Sequence, residues 1–125
     1  MEKLWLVLAL IVSFILEMLG GWDVMLHALC VLTVLDIVSG IIHGISKREL
    51  SSGVAWRGFM KKIGMFIVVA VAVQLDNVFG TTTLRALAIS FFIGVEGLSI
   101  IENWGSFGLP LPAKLREVLK DFAKE

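Results

Sequence analysis

Apolar residues fall into four long runs separated by short polar breaks: Leu4 to about Leu19, Val24 to about Ile45, Ile63 to about Phe79, and Leu84 to about Ile101. A helix that crosses a bilayer needs about 20 mainly apolar residues, with a range of about 17–25. The second and fourth runs meet that length, and the first and third lie at its short end. Backbone N–H and C=O groups cannot stay unpaired in hydrocarbon, so runs of this kind predict helices. With their flanks, the predicted spans are residues 4–22, 24–45, 63–79 and 84–101 of a single membrane domain over residues 1–125. A loop, residues 46–62, separates the second span from the third, and a tail, residues 105–125, follows the fourth. A three-span arrangement, with part of residues 4–45 interfacial or re-entrant, is the alternative.

The breaks carry turn chemistry. Gly20-Gly21-Trp22-Asp23 predicts a tight turn with an interfacial tryptophan, and Asn77 to Thr83, containing Gly80 and three threonines, predicts another. Asn103-Trp104-Gly105 and Leu109-Pro110-Leu111-Pro112 end the fourth run, because proline cannot continue a helix and restricts the residue before it. In the tail, Leu115, Val118, Leu119 and Phe122 recur at i, i+3, i+4 and i+7 with charged residues between them. That spacing predicts a short amphipathic helix, lying either on the cytoplasmic membrane surface or against the central loop as a solvated tail.

Composition strengthens the membrane reading. The chain has 125 residues, 58% hydrophobic and only 18% charged, against about 45–50% and about 25% in ordinary soluble domains. A soluble core this small cannot hide so much apolar surface. Lys3 followed by Leu4 to Leu16 looks like a signal peptide, but Glu17-Met18-Leu19-Gly20-Gly21 offers no small-x-small cleavage site, so a retained membrane helix is expected. Cys30 is the only cysteine, which excludes a disulfide within the chain, and a buried inert thiol is expected.

Net charge is zero and gives no sign of nucleic-acid binding, but its distribution sets a topology. Lys3 precedes the first run; Lys47, Arg48, Arg57, Lys61 and Lys62 crowd the central loop; Lys114, Arg116, Lys120 and Lys124 lie in the tail. Only Arg85 falls elsewhere, so ten of the eleven basic residues sit on one face of a four-span protein. The positive-inside rule then puts both termini and the central loop in the cytoplasm.

Ionisable groups at membrane depth are costly and face a bundle interior or water. Asp36 and Glu96 lie deep within the second and fourth runs, while Glu17 and Asp76 lie near run ends, where solvation is cheaper. Gly40 and Gly44 form a G-x-x-x-G beside Ser39, and Ser90, Gly94 and Gly97 line the fourth run. Small residues at this spacing let helices approach closely, within one chain or between chains. With Gln74, the residues Asp36, Gly40, Gly44, Gly94, Glu96 and Gly97 are the candidate pore or packing positions. In the central loop, Ser51 or Ser52 can cap a short helix. Trp56 and Phe59 can sink into the interface while Arg57, Lys61 and Lys62 meet anionic headgroups. His27 and His43 have no metal-site spacing. No nucleophile elbow and no phosphate loop is present, so no catalytic, cofactor or metal residue is nominated and no enzyme is expected.

Asp36-Ile37-Val38-Ser39-Gly40, Leu50-Ser51-Ser52, Arg57-Gly58, Lys61-Lys62, Glu96-Gly97-Leu98-Ser99-Ile100-Ile101-Glu102-Asn103 and Gly108-Leu109-Pro110-Leu111-Pro112 occur here in that order. Together they resemble the toxin-secretion/phage-lysis holin family, from about Leu32 to Leu119. The resemblance implies a small helical subunit with three or four spans in the bacterial host cytoplasmic membrane. Such subunits associate as homo-oligomers into lesions that release an endolysin or, in some relatives, a large toxin. It implies lipid and other copies as direct partners, the endolysin as a functional partner, and no catalytic residues. Two other readings fit the residues: an antiholin that regulates another lysis protein, and a small four-helix proton-coupled transporter using Glu17.

Overall fold

The computed structural model describes residues 1–124 and contains five helices and no strand among them. They are α1 (Glu2–Met18), α2 (Val24–Lys47), α3 (Ser52–Phe79), α4 (Thr83–Gly105) and α5 (Ala113–Phe122). α2, α3 and α4 are long and apolar enough to cross a membrane. α4 is the hub, packing against α2, α3 and α5, while α1 touches α3 and buries none of its own residues. The outward faces of the three long helices are rich in exposed Val, Ile and Leu, among them Val34, Val38, Ile67, Val71 and Leu87. Apolar surface on that scale fits lipid rather than water.

Two layers fill the interior. Towards the α1–α2 turn the core is apolar: Leu26, Leu29, Val69 and Ile89 are fully buried, with Leu19 and Met65 beside them. In the other half the inward positions are polar: Thr33, Asp36 and Ser39 on α2, and Glu96 on α4.

The α1–α2 corner depends on Gly20 and Gly21, whose φ angles of +89° and +91° suit glycine best. Arg85 of α4 holds this corner. Its guanidinium donates to the carbonyls of Leu19 (2.6 Å) and Gly21 (3.0 Å) and to the carboxylate of Asp23 (2.7 Å). Gly20 is also needed for space, since a Cβ there would collide with the Arg85 side chain. Asp23 in turn caps α2, accepting from the Leu26 amide at 2.9 Å. The residue that departs from the basic-side pattern is thus the clamp on the opposite turn.

The Arg85 guanidinium, helped by the Leu26 amide and opposed by slight burial, holds the Asp23 carboxyl below the usual carboxylate range. A folded pKa below the unfolded value stabilises the corner above the unfolded value and loses that contribution as pH falls through the folded one. The Asp23 carboxyl carbon, followed by NMR, is expected to keep its ionised chemical shift from about pH 8 to pH 5 and to change only below about pH 4. A titration centred near neutrality would contradict the Arg85–Asp23 pairing.

The α3–α4 turn is capped from a distance. Thr82 makes no side-chain cap bond. Instead Asp76, buried near the end of α3, accepts from the amides of Leu84 (3.0 Å) and Arg85 (2.8 Å) and from the Thr81 hydroxyl (2.7 Å). A carboxylate on the first amides of a helix satisfies orphan donors and complements the dipole.

Two elements differ from the sequence expectation. Residues 52–62, expected within a loop, form the first turns of α3, so the connection between α2 and α3 is only residues 48–51. Ser51 starts the helix by accepting from the Val54 amide at 3.2 Å, and no proline interrupts the helix beyond it. At about 1.5 Å per residue, α3 is about 42 Å long, so it tilts or extends beyond a hydrocarbon core of about 30 Å. The tail helix lies along α4 rather than on the central segment, because Gly94 and Gly97 open a groove that admits its backbone and Leu119.

Candidate functional site: an ion cluster among three spans

Asp36, Lys62 and Glu96 meet where α2, α3 and α4 come together. The Lys62 ammonium donates to Asp36 Oδ2 at 2.5 Å and to Glu96 Oε2 at 2.7 Å. Side-chain exposure is 17% for Lys62, 9% for Asp36 and 7% for Glu96, so all three are largely withdrawn from solvent. Each lies about ten residues from the same end of the bundle: Lys62 from Ser52, Asp36 from Lys47 and Glu96 from Gly105. At about 1.5 Å per residue this puts the cluster about 15 Å in, near mid-depth.

The helices bring these groups together by register. On α3 the inward face reads Lys62, Met65, Val69, Val73 and Asp76. On α2 it reads Leu26, Leu29, Thr33, Asp36 and Ser39. These are i, i+3, i+7 series, so Lys62 continues the buried stripe of α3. Removing the Lys62 ammonium from such a group leaves both acids buried without a partner, the most destabilising change available to it, whereas removing either acid leaves Lys62 paired with the other. With both acids ionised the cluster carries a formal charge of −1.

The polar layer extends one turn further. Asn103 donates to the Ser39 hydroxyl at 3.0 Å, and Ser39 donates to the Asp36 carbonyl at 3.2 Å. Beside it, a cavity of about 300 Å³ opens between α2 and α3. Its walls include Ile37, Ile41, Val54 and Phe59, and Asp36 and Lys62 also line it.

The other nominated residues are dispersed. A Cβ on Gly40 would lie 3.9 Å from the Asn103 amide, and one on Gly44 would lie 3.3 Å from Leu50, so both small positions meet neighbours within the chain. Gly94 and Gly97 meet α5. Gln74 is exposed on the outer face of α3, away from the cluster. Trp56, Arg57 and Lys61 are exposed on the first turns of α3, with the Trp56 and Phe59 rings 6.2 Å apart. Lys62, read from sequence as a headgroup anchor with them, turns inward instead, because its register puts it between two acids. Glu17 is exposed on α1. His27 stands beside Trp22, and His43 beside Phe107. Among the described residues no group of three or more His, Cys, Asp or Glu side chains has the geometry to hold a metal ion.

Sequence reasoning missed Lys62 as the partner of the acids, Arg85 as a corner clamp and Asn103 as a polar link. For Lys62 a signal was available in its spacing from Met65 and Val69. For Arg85 the signal was its isolation from every other basic residue.

The model of the bacteriophage holin family matches residues 13–124. The chain belongs to the bacteriophage holin family. A probable holin of Bacillus phage phi105 is 36% identical over 95 residues, covering 75% of this chain and 70% of the phage protein. An uncharacterised 14.9 kDa protein of the nagH 3' region of Clostridium perfringens is 42% identical over 103 residues, 81% of this chain and 78% of that protein. YqxH of Bacillus subtilis, also uncharacterised, is 31% identical over 101 residues, 80% and 72% of the two chains. No solved structure matches. Holins are a pore-forming and non-enzymatic class, and with its three apolar spans this family member is a multi-pass membrane protein.

Proposed function

We propose that the chain is a holin acting in the cytoplasmic membrane of a bacterial host. Its subunits associate there into lesions that release an endolysin, or a toxin as in some relatives. The match of the holin model to residues 13–124 carries this reading, and the phi105 protein supports it. In the proposed topology α1 is a fourth span, and both termini and the α2–α3 connection face the cytoplasm, where the basic residues concentrate. The Asp36–Lys62–Glu96 cluster supports a role in assembly. Polar groups held inside one subunit can exchange partners with another copy or with water when helices separate, whereas lipid offers no such exchange. The proton-coupled transporter reading has less support, since Glu17 sits exposed on the loosely packed α1 and apart from the buried acids.

Controlled expression in a bacterial host, with and without a co-expressed endolysin, tests the proposal through culture density and membrane potential. Abrupt depolarisation, followed by lysis only with endolysin, is the expected result. Continued growth with intact potential would overturn it, and a delay of lysis by a second holin under those conditions would identify an antiholin.

A further inference from the structure

The tail helix reaches unexpectedly far along the span. A Cβ on Gly94 would lie 2.5 Å from the Ala123 amide nitrogen and 2.7 Å from the Leu119 carbonyl oxygen. One on Gly97 would lie 2.6 Å from Leu119 Cδ2. Gly94 is the midpoint of α4, eleven residues from Thr83 and eleven from Gly105. At about 1.5 Å per residue the end of α5 therefore reaches about 16 Å along the span, close to the middle of the membrane.

α5 is poorly suited to lipid at that depth. Lys114, Arg116, Glu117, Lys120 and Asp121 fall on one arc of the helix, Lys124 follows just beyond its end, and all are exposed. Among the described residues the only ion pair in this set is Lys124 with Asp121 at 3.4 Å. Hydrocarbon does not tolerate a row of unpaired charges. The opposite arc behaves differently. Leu119 faces α4, while Leu115, Val118 and Phe122 remain exposed as an apolar stripe along its flank. A docked α5 thus has a protein side, a lipid-compatible side and a side that requires water.

A lone subunit surrounded by lipid cannot supply that water at mid-depth, whereas several subunits enclosing an aqueous space can. We infer that α5 docks on α4 only in the assembled protein, where its charged arc faces water enclosed between copies of this chain, and that in a dispersed subunit α5 lies on the membrane surface. This rests on the holin reading and deepens it, making α5 part of the lesion wall. Gly94 and Gly97 serve as its seat.

The pair Gly97→Cys and Leu119→Cys, in a Cys30→Ser background, tests this. Replacing Leu119 removes the side chain that a Cβ at position 97 would meet, so the pair fits the docked state. The protein is reconstituted in vesicles of phosphatidylethanolamine and phosphatidylglycerol at low and high protein density, and oxidised with copper–phenanthroline. Intramolecular cross-linking and release of a trapped dye are read together. The cross-linked fraction is expected to rise by about tenfold from low to high density, as a two-state equilibrium does under a modest preference for one environment. A fraction that stays constant, or dye release that rises without cross-linking, would overturn the inference. Cross-linking that rises without dye release would support assembly-coupled docking while counting against the holin reading, so the two failures are distinguishable. Gly94→Leu, which blocks the seat, is expected to retain helicity and lose dye release. Wild-type release by that variant would also overturn the inference.

Discussion

Lys62→Met is expected to be the most damaging single substitution in the chain. It removes the only ammonium between Asp36 and Glu96, which are drawn together by α2 and α4 and almost completely shielded. The methionine preserves most of the side-chain volume, so the effect reports charge rather than a cavity. Breaking a buried ion pair in this way costs about 3–5 kcal/mol, because the remaining charge is left without a partner. Unfolding followed by helicity in detergent should show this loss, together with reduced accumulation in the membrane. The triple variant Asp36→Leu, Lys62→Met and Glu96→Met replaces the whole cluster with apolar side chains and is expected to regain most of the stability. That rescue separates folding from function: a stable triple variant with altered lysis timing would assign the cluster a role in assembly. Unchanged timing would confine it to holding the subunit together. Wild-type stability of Lys62→Met alone would remove the cluster from both roles.

Arg85→Met is expected to have the next largest effect, at the opposite end of the bundle. The guanidinium bonds two backbone carbonyls at the α1–α2 corner and the Asp23 carboxylate at once. Hydrogen bonds to a charged group contribute about 1.5–3 kcal/mol each, but Asp23 is half-exposed and its share is screened, so a net loss of about 2–3 kcal/mol is expected. The loss should be local. Hydrogen exchange at Leu19 to Asp23 and protease cleavage near Gly20 and Gly21 should accelerate, while the ion cluster at mid-depth keeps its protection. Since α1 has no buried residue of its own, this corner is its main tether to the remaining helices. Unchanged exchange at the corner would show that the turn holds without the clamp.

The legible part of this protein was what depends on local sequence. The second and fourth apolar runs, read as 24–45 and 84–101, became α2 (Val24–Lys47) and α4 (Thr83–Gly105). An uninterrupted apolar stretch of that length has no structure other than a helix open to it in lipid. The period of Leu115, Val118, Leu119 and Phe122 gave α5 for a different local reason, an apolar stripe at helical spacing between charged residues. The start of α3 was not legible from hydropathy. Residues 52–62 mix three cations, a serine and two glycines with five apolar residues, yet a capped helix continues through them because backbone hydrogen bonding depends on caps and breakers rather than polarity.

The candidate site divides in the same way. Asp36 and Glu96 stood out because a carboxylate deep in an apolar run needs an explanation in any fold. Their partner did not, because Lys62 looks like one more cation in a basic segment. It lies 26 residues from Asp36 and 34 from Glu96, and only the crossing of three helices decides that these side chains share a level. Gly94 and Gly97 could be read as small but not as the seat of α5. Sequence alone determined the solvent of this protein and the identity of its main helices, through hydrophobicity and period, which are properties of neighbouring residues. Tertiary structure alone decided which charges meet and which helix fills which groove, because those depend on the faces that distant segments present to each other.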